Sequence, residues 1–193
     1  RANVPRESDI FRNPFTEPIS MEEVKKDTAG YYAHISALDS YIGEMLSTLE
    51  EEGLRDNTIF VYTSDHGDML GSHGRYKKQV PWDESIRVPF LMRYPRVLGN
   101  KEREVNIPFN STDIMPTLLD LCGINIPGTV EGTSFAPTLR KEKELEREAA
   151  LLQFPHPFGQ WPKRKGGREY RGLRSRKYTY VKTLKGPWLL YDN

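Results

Sequence analysis

The feature that most restricts the fold is a continuous β-prone run, residues 58–63, which leads directly into a polar, glycine-rich segment, residues 64–74. An unbroken run of β-branched and aromatic side chains favours a strand that is buried on both faces, and such strands pair in parallel. In open α/β sheets, ligands bind outside the carboxyl ends of the strands. The sequence therefore predicts an α/β fold with a functional site in residues 64–74.

A long amphipathic helix is predicted before this strand. Ser20 and Glu23 have the Ser-x-x-Glu spacing of a capping box, in which each side chain accepts a hydrogen bond from a free backbone N–H. Gly53 is a suitable left-handed residue to end the helix. Apolar side chains recur at gaps of four and three, as on one helix face, at Tyr31, Ile35, Leu38, Ile42, Met45 and Leu49.

Weaker sequence patterns predict the helices and strands of the rest of the chain. Residues 88–94 predict a second core strand, and Thr112 is a candidate cap for a helix over residues 113–122 that places Cys122 in the core and ends at Gly123. Residues 178–181 and 188–191 predict two antiparallel strands around a Gly-Pro turn. We therefore divide the chain into an extended lead-in (1–19), an α/β domain (20–140), and a linker with the start of a smaller antiparallel subdomain (141–193).

Charge and hydropathy exclude several classes of partner. The chain has 193 residues, with 28 Lys and Arg against 27 Asp and Glu, so its net charge is only +1. No field of one sign attracts nucleic acid or an anionic membrane. No apolar run approaches the ~20 residues of a spanning helix. We expect neither a nucleic-acid nor a membrane partner.

The polar segment carries residues suited to a cation and an anion. Asp65 offers a hard carboxylate oxygen and His66 an imidazole nitrogen, and both follow the strand directly. Oxygen ligands suit Ca²⁺, whereas the imidazole leaves Mn²⁺ or Zn²⁺ open. Glycines at 67, 71 and 74 permit the tight turns by which Lys78 returns to this point, where its ammonium would bind an anionic substrate oxygen.

Several motifs together resemble those of type I sulfatases, the arylsulfatase-like, formylglycine-dependent members of the alkaline phosphatase superfamily. The Ser64-Asp65-His66-Gly67 tetrapeptide, the following Gly-Ser-His-Gly and Lys78 resemble the family's metal strand and lysine loop. The other resembling stretches follow in family order and are residues 31–39, 82–89, 112–119, 171–174 and 190–192.

The resemblance implies a fold and residue roles. The fold would be α/β and alkaline-phosphatase-like, with a mixed sheet flanked by helices and a smaller antiparallel C-terminal subdomain. Asp65 and His66 would bind Ca²⁺, and Lys78 would contact the sulfate-ester oxygens as the catalytic and substrate-binding lysine. His73 is a weaker candidate for substrate contact, with a structural role as its alternative.

One departure from the family is large. The Cys/Ser-x-Pro-x-Arg motif that yields the formylglycine nucleophile is absent from this sequence, and so are the paired upstream aspartates. We therefore expect a fragment whose partners are the missing N-terminal part of the same protein and a sulfated small molecule or carbohydrate. The expected activity of the whole protein is sulfate-ester hydrolysis. Two alternatives are a phosphonate or phosphodiester hydrolase of the same superfamily and a noncatalytic calcium- or glycan-binding relative. Family analogy suggests a periplasmic or secreted location.

Overall fold

A computed structural model describes residues 20–159, 162–165 and 167–193, so the predicted lead-in at 1–19 lies outside the described residues. The chain divides into two compact units. The first consists of the chain up to Arg93 together with Phe158–Gly167, and the second consists of Tyr94–Pro157 and Arg168–Asn193. The predicted boundary after residue 140 stays a prediction. No helix in the described ranges is both long enough and apolar enough to cross a membrane.

The first unit begins with the predicted long helix, α1 (Met21–Glu51). The Ser20 side chain accepts from the Glu23 amide at 3.2 Å, and the Glu23 carboxylate accepts from the Ser20 amide at 2.8 Å, which confirms the capping box. Glu52 caps the other end, and Gly53 follows it at φ 67°, the left-handed conformation expected of a helix stop.

Two short strands follow, β1 (Phe60–Thr63) and β2 (Phe90–Arg93). They pair antiparallel, with Phe60 opposite Arg93 and Thr63 opposite Phe90. The parallel pairing predicted for β1 is therefore wrong for its pairing with β2. Between them lie loops, a 3-10 turn (Ser72–Gly74) and one turn of α-helix, α2 (Asp83–Ile86). Parallel neighbours need a crossover that is usually a full helix, and this connection contains none, so the chain returns in the opposite direction.

The predicted apolar face of α1 is largely exposed to solvent in the described structure. Relative exposures are 42% at Tyr31, 44% at Ile35, 43% at Leu38 and 57% at Met45. β1 also has β2 as its sole neighbour among the described strands, so its other edge is unpaired there. An exposed apolar stripe and an open strand edge each favour association with another protein surface.

We therefore expect the 193-residue chain, expressed alone, to self-associate. Size-exclusion chromatography with light scattering measures this directly. Replacing Ile35 and Leu38 together with Lys should reduce the associated fraction, whereas the matched charge change Ser40→Lys with Ser47→Lys, away from the stripe, should not. A monodisperse monomer with a single cooperative unfolding transition would contradict the prediction.

The helices of the second unit are α3 (Pro95–Leu98), α4 (Ser111–Leu121) and α5 (Ala136–Leu139). The cap of α4 is Asn110 and not the predicted Thr112, because Asp113 stands three residues after Asn110 and its carboxylate accepts from the Asn110 amide at 2.8 Å. Gly123 ends the helix at φ 70°, as predicted. Cys122 is exposed, so its placement in the core was wrong. It lies about 100° around the helix from Leu121, which is buried.

The remainder of the second unit is a four-stranded antiparallel sheet in the order β3 (Ala149–Phe154), β4 (Tyr170–Ser175), β5 (Tyr178–Thr183) and β6 (Gly186–Asp192). β5 and β6 confirm the predicted hairpin, while β3 and β4 were missed. Thr179 and Val181 are fully buried, whereas the alternating residues Tyr178 and Tyr180 are exposed. This alternation is typical of an antiparallel sheet with one covered face.

Candidate metal and anion site

The carboxyl end of β1 places Asp65 and His66 side by side. The His66 Nε2 atom lies 3.3 Å from Asp65 Oδ2, and the Asp65 side chain is 83% exposed, so the carboxylate is open to solvent. Asp65 Oδ1 accepts from the His66 amide at 3.0 Å, which fixes the carboxylate relative to the backbone. The structure therefore brings together the two residues predicted to bind a metal.

A hydrogen bond sets the tautomer of His66. Its Nδ1 lies 2.8 Å from the Gly67 carbonyl oxygen, which can only accept, so Nδ1 carries the proton and donates. In the neutral ring, Nε2 then presents a lone pair toward the Asp65 carboxylate. Metal-bound histidines commonly donate their other ring nitrogen in this way.

The pair fits part of a divalent cation site. Two lone-pair donors 3.3 Å apart match the spacing of neighbouring ligands on one ion at metal–ligand distances of about 2.0–2.6 Å. Within the described ranges, no group of three or more His, Cys, Asp or Glu side chains forms a metal cluster. Asp65 and His66 thus supply two ligands, and a hard cation would need further oxygen donors beside them.

The loop after His66 is anchored by a close backbone approach. The Gly67 amide donates to the Ser85 carbonyl at 2.9 Å. A Cβ on Gly67 would lie 2.0 Å from the Glu84 carbonyl oxygen, so glycine is required for the contact. The one-turn helix α2 therefore holds the start of the loop directly beside the Asp65–His66 pair.

The loop then returns on itself. The Met69 amide donates to the Lys77 carbonyl at 2.8 Å, and the Gly71 amide donates to the Arg75 carbonyl at 2.7 Å. These bonds bring the backbone beside Lys78 back to Met69, while the predicted approach of Lys78 to the Asp65–His66 pair stays a prediction. The half-buried Lys78 side chain makes no ion pair with any residue that the structure describes. Its ammonium remains available for an anion, although its catalytic role stays a prediction.

His73 packs against an aromatic ring. Its imidazole stacks on Trp82 with ring centroids 5.1 Å apart at 24°, and the Arg75 guanidinium lies 5.3 Å from the same indole ring. These contacts give His73 a packing role. The predicted substrate contact of His73 stays a prediction. Nearby, burial raises the pKa of the Tyr76 phenol, and the carboxylates of Asp27, Asp68 and Glu23 add to the increase. Tyr76 is therefore neutral at physiological pH.

Sequence reasoning missed Asp68. Its Oδ1 accepts from the Leu70 amide at 2.9 Å and from the Lys77 amide at 3.1 Å, so one carboxylate joins both ends of the loop. An Asp two residues before a left-handed turn is a known signal for an Asx-turn. That signal covers the local bond to Leu70. The bond to Lys77 depends on the tertiary path of the loop.

Two family profiles match the chain. The profile described as Sulfatase matches residues 5–124, and the profile described as N-sulphoglucosamine sulphohydrolase, C-terminal, matches residues 71–193. Among curated relatives, the chain is 40% identical over 187 residues to an ulvan-active sulfatase of Formosa agariphila, covering 95% of this chain and 36% of that protein. It is 32% identical over 164 residues to an N-acetylglucosamine-6-O-sulfatase of Bacteroides thetaiotaomicron, covering 84% of this chain and 29% of that protein. The chain thus spans about a third of the length of these curated relatives.

Solved structures give a similar result. A protein in complex with its substrate D-glucosamine-2-N,6-O-disulfate matches with a TM-score of 0.66 at 30% identity, covering 82% of this chain and 32% of that one. The phosphonate monoester hydrolase of Silicibacter pomeroyi matches with a TM-score of 0.77 at 30% identity, covering 93% of this chain and 37% of that one. At these identities the likeness covers sequence as well as fold.

Proposed function

This chain belongs to the sulfatase family, and from that premise we propose that it forms the metal-and-lysine side of an enzyme that hydrolyses sulfate esters of carbohydrates. The solved relatives confirm the predicted alkaline-phosphatase-like α/β fold with an antiparallel C-terminal subdomain. The observation that carries the proposal is the paired Asp65 and His66 at the end of β1, beside a closed loop that leads into Lys78.

The metal proposed for Asp65 and His66 is Ca²⁺, because the Asp65 carboxylate is a hard ligand and the resemblance to type I sulfatases implies calcium. The His66 imidazole leaves Mn²⁺ or Zn²⁺ as less suited alternatives. A bound cation would supply positive charge that polarises a sulfuryl oxygen. Asp65 provides anionic charge to hold the ion. His66 provides a neutral nitrogen whose direction is fixed by the bond from Nδ1 to the Gly67 carbonyl.

Lys78 is proposed to bind and stabilise the sulfuryl group. Its ammonium is a compact, strongly hydrated point charge, suited to a single oxygen on which negative charge develops. The nucleophile is proposed to be a formylglycine from outside this chain, which would supply the attacking hydroxyl group. The residues described here therefore position and neutralise the sulfate ester.

Sulfated carbohydrates are the substrate class that the relatives support best. The names of two curated relatives specify ulvan and N-acetylglucosamine 6-sulfate chemistry, and one structural relative was solved with a disulfated glucosamine. A phosphonate monoester is the second candidate, because two solved phosphonate monoester hydrolases match this fold with TM-scores of 0.77. Both substrates present an anionic tetrahedral group to the same lysine and metal.

The test compares the whole protein with the 193-residue chain. We expect the whole protein to release sulfate from glucosamine 6-sulfate faster than it cleaves a phenyl phosphonate monoester. The isolated chain should turn over neither substrate above a boiled control, because it contains no Cys/Ser-x-Pro-x-Arg motif. Faster phosphonate cleavage would favour the second candidate. Turnover by the isolated chain would overturn the assignment of the nucleophile to another segment.

A further inference from the structure

The loop between His66 and Lys78 is closed by one carboxylate. Asp68 Oδ1 accepts from the Leu70 amide at 2.9 Å and from the Lys77 amide at 3.1 Å. The first bond is local and stabilises the turn that follows Asp68. The second spans the whole loop and ends on the residue immediately before Lys78. One carboxylate oxygen of Asp68 therefore links the start of the loop to the residue that precedes Lys78.

The loop that Asp68 closes contains several residues in strained backbone conformations. Between residues 70 and 79, the non-glycine residues Leu70, His73, Lys77 and Gln79 have positive φ angles of 42°, 53°, 69° and 74°. Such conformations are unfavourable for residues other than glycine and persist where surrounding contacts over-determine them. Lys78 lies between two of these residues. Its backbone is thus held in an arrangement that the loop would not adopt without its cross-loop bonds.

Burial fixes the other side of the loop. Met69, adjacent to Asp68, is 1% exposed, and its amide donates to the Lys77 carbonyl at 2.8 Å. Asp68 and Met69 therefore bind both the N–H and the C=O of Lys77, as in a pair of cross-strand bonds. Removing the Asp68 acceptor would leave one of these two bonds and a strained segment free to relax.

We propose that Asp68 is a positioning residue for Lys78, and that its carboxylate sets the lysine ammonium against the sulfate-ester oxygen. The inference rests on the proposed function, since it assigns Asp68 an effect only through Lys78. It makes no claim that Asp68 binds the metal or touches the substrate. Misplacing a catalytic group by about 1 Å lowers a rate by up to roughly 10²-fold.

The test is a double-mutant cycle in the whole protein, with glucosamine 6-sulfate as the substrate. Asp68→Ala should lower kcat/KM by on the order of 10- to 100-fold in the otherwise unmodified protein. In the Lys78→Ala background, the same change should have little further effect, because a lysine that is absent cannot be misplaced. Asp68→Asn retains Oδ1 as an acceptor and should recover most of the activity. Asp56→Ala, an exposed carboxylate in the same unit, is the control.

The possible results distinguish failure of the proposed function from failure of the positioning role of Asp68. An inactive unmodified protein would contradict the proposed function. If the unmodified protein is active but the effects of Asp68→Ala and Lys78→Ala multiply, Asp68 acts independently of Lys78 and the positioning role is wrong. Loss of bound metal in Asp68→Ala, measured by elemental analysis, would also overturn it. Faster hydrogen exchange at the Lys77 amide in Asp68→Ala, with metal retained and non-additive kinetics, would support it.

Discussion

Replacing Lys78 with alanine in the whole protein is expected to lower kcat/KM for a sulfate ester by on the order of 10²-fold or more, with the metal still bound. The ammonium lies on a loop whose closing bonds involve backbone atoms and Asp68, so its removal leaves the Asp65–His66 pair intact. Lys78→Arg should recover little activity, because a planar guanidinium does not reproduce a compact point charge. Lys26→Ala, an exposed lysine on α1, is the matched control for loss of one charge.

Asp65 and His66, the proposed metal ligands, should respond differently from Lys78. Asp65→Ala is expected to lose both metal and activity, because a hard cation loses an anionic ligand. His66→Ala should weaken metal binding less, since it removes a neutral ligand and retains the carboxylate. Steady-state kinetics and metal content, measured on the same samples, distinguish the roles. Loss of metal in Lys78→Ala together with retention of metal in Asp65→Ala would reverse our assignment. If none of the substitutions at Asp65, His66 and Lys78 changed hydrolysis, the active site would lie elsewhere.

The largest stability effect is expected at Asp113 in the second unit. This residue is 1% exposed, and the two guanidinium nitrogens of Arg147 bind its two carboxylate oxygens. Its Oδ1 also accepts from the Thr133 amide at 2.8 Å, so the carboxylate joins the start of α4 to two distant segments. Gly132 permits this approach, because a Cβ there would lie 2.2 Å from the Thr112 carbonyl oxygen.

Removing one partner of a buried pair leaves the other charge without compensation. We therefore expect Arg147→Leu to destabilise the second unit by about 3–5 kcal/mol. The Arg140–Asp120 pair is the control, because its side chains are 27% and 26% exposed and Arg140→Ala should cost about 1 kcal/mol or less. Urea unfolding, with hydrogen exchange in α4 to assign the transition to this unit, measures both. Equal losses in the free energy of unfolding for the two variants would show that the buried Asp113–Arg147 pair stabilises the unit no more than the exposed pair does.

The sequence by itself determined the features that depend on neighbouring residues. The capping box of Ser20 and Glu23, the α1 period and the glycine stops at 53 and 123 all involve groups within one or two helical turns. The same holds for Asp65 and His66, which are adjacent in the chain and follow β1 directly. A motif of contiguous residues keeps its geometry once its strand and turn are known.

Tertiary structure decided the features that depend on the path of the chain. The antiparallel direction of β2 and the pairing of the missed strands β3 and β4 rest on contacts between distant segments. The Asn110–Asp113 capping box of α4 is local, so the sequence contained it although Thr112 was chosen instead. Asp68 is the clearest case at the site, because its bond to Lys77 exists only once the intervening residues adopt left-handed turns. Short-range propensity cannot specify such bonds, since their free energy depends on closing the whole loop.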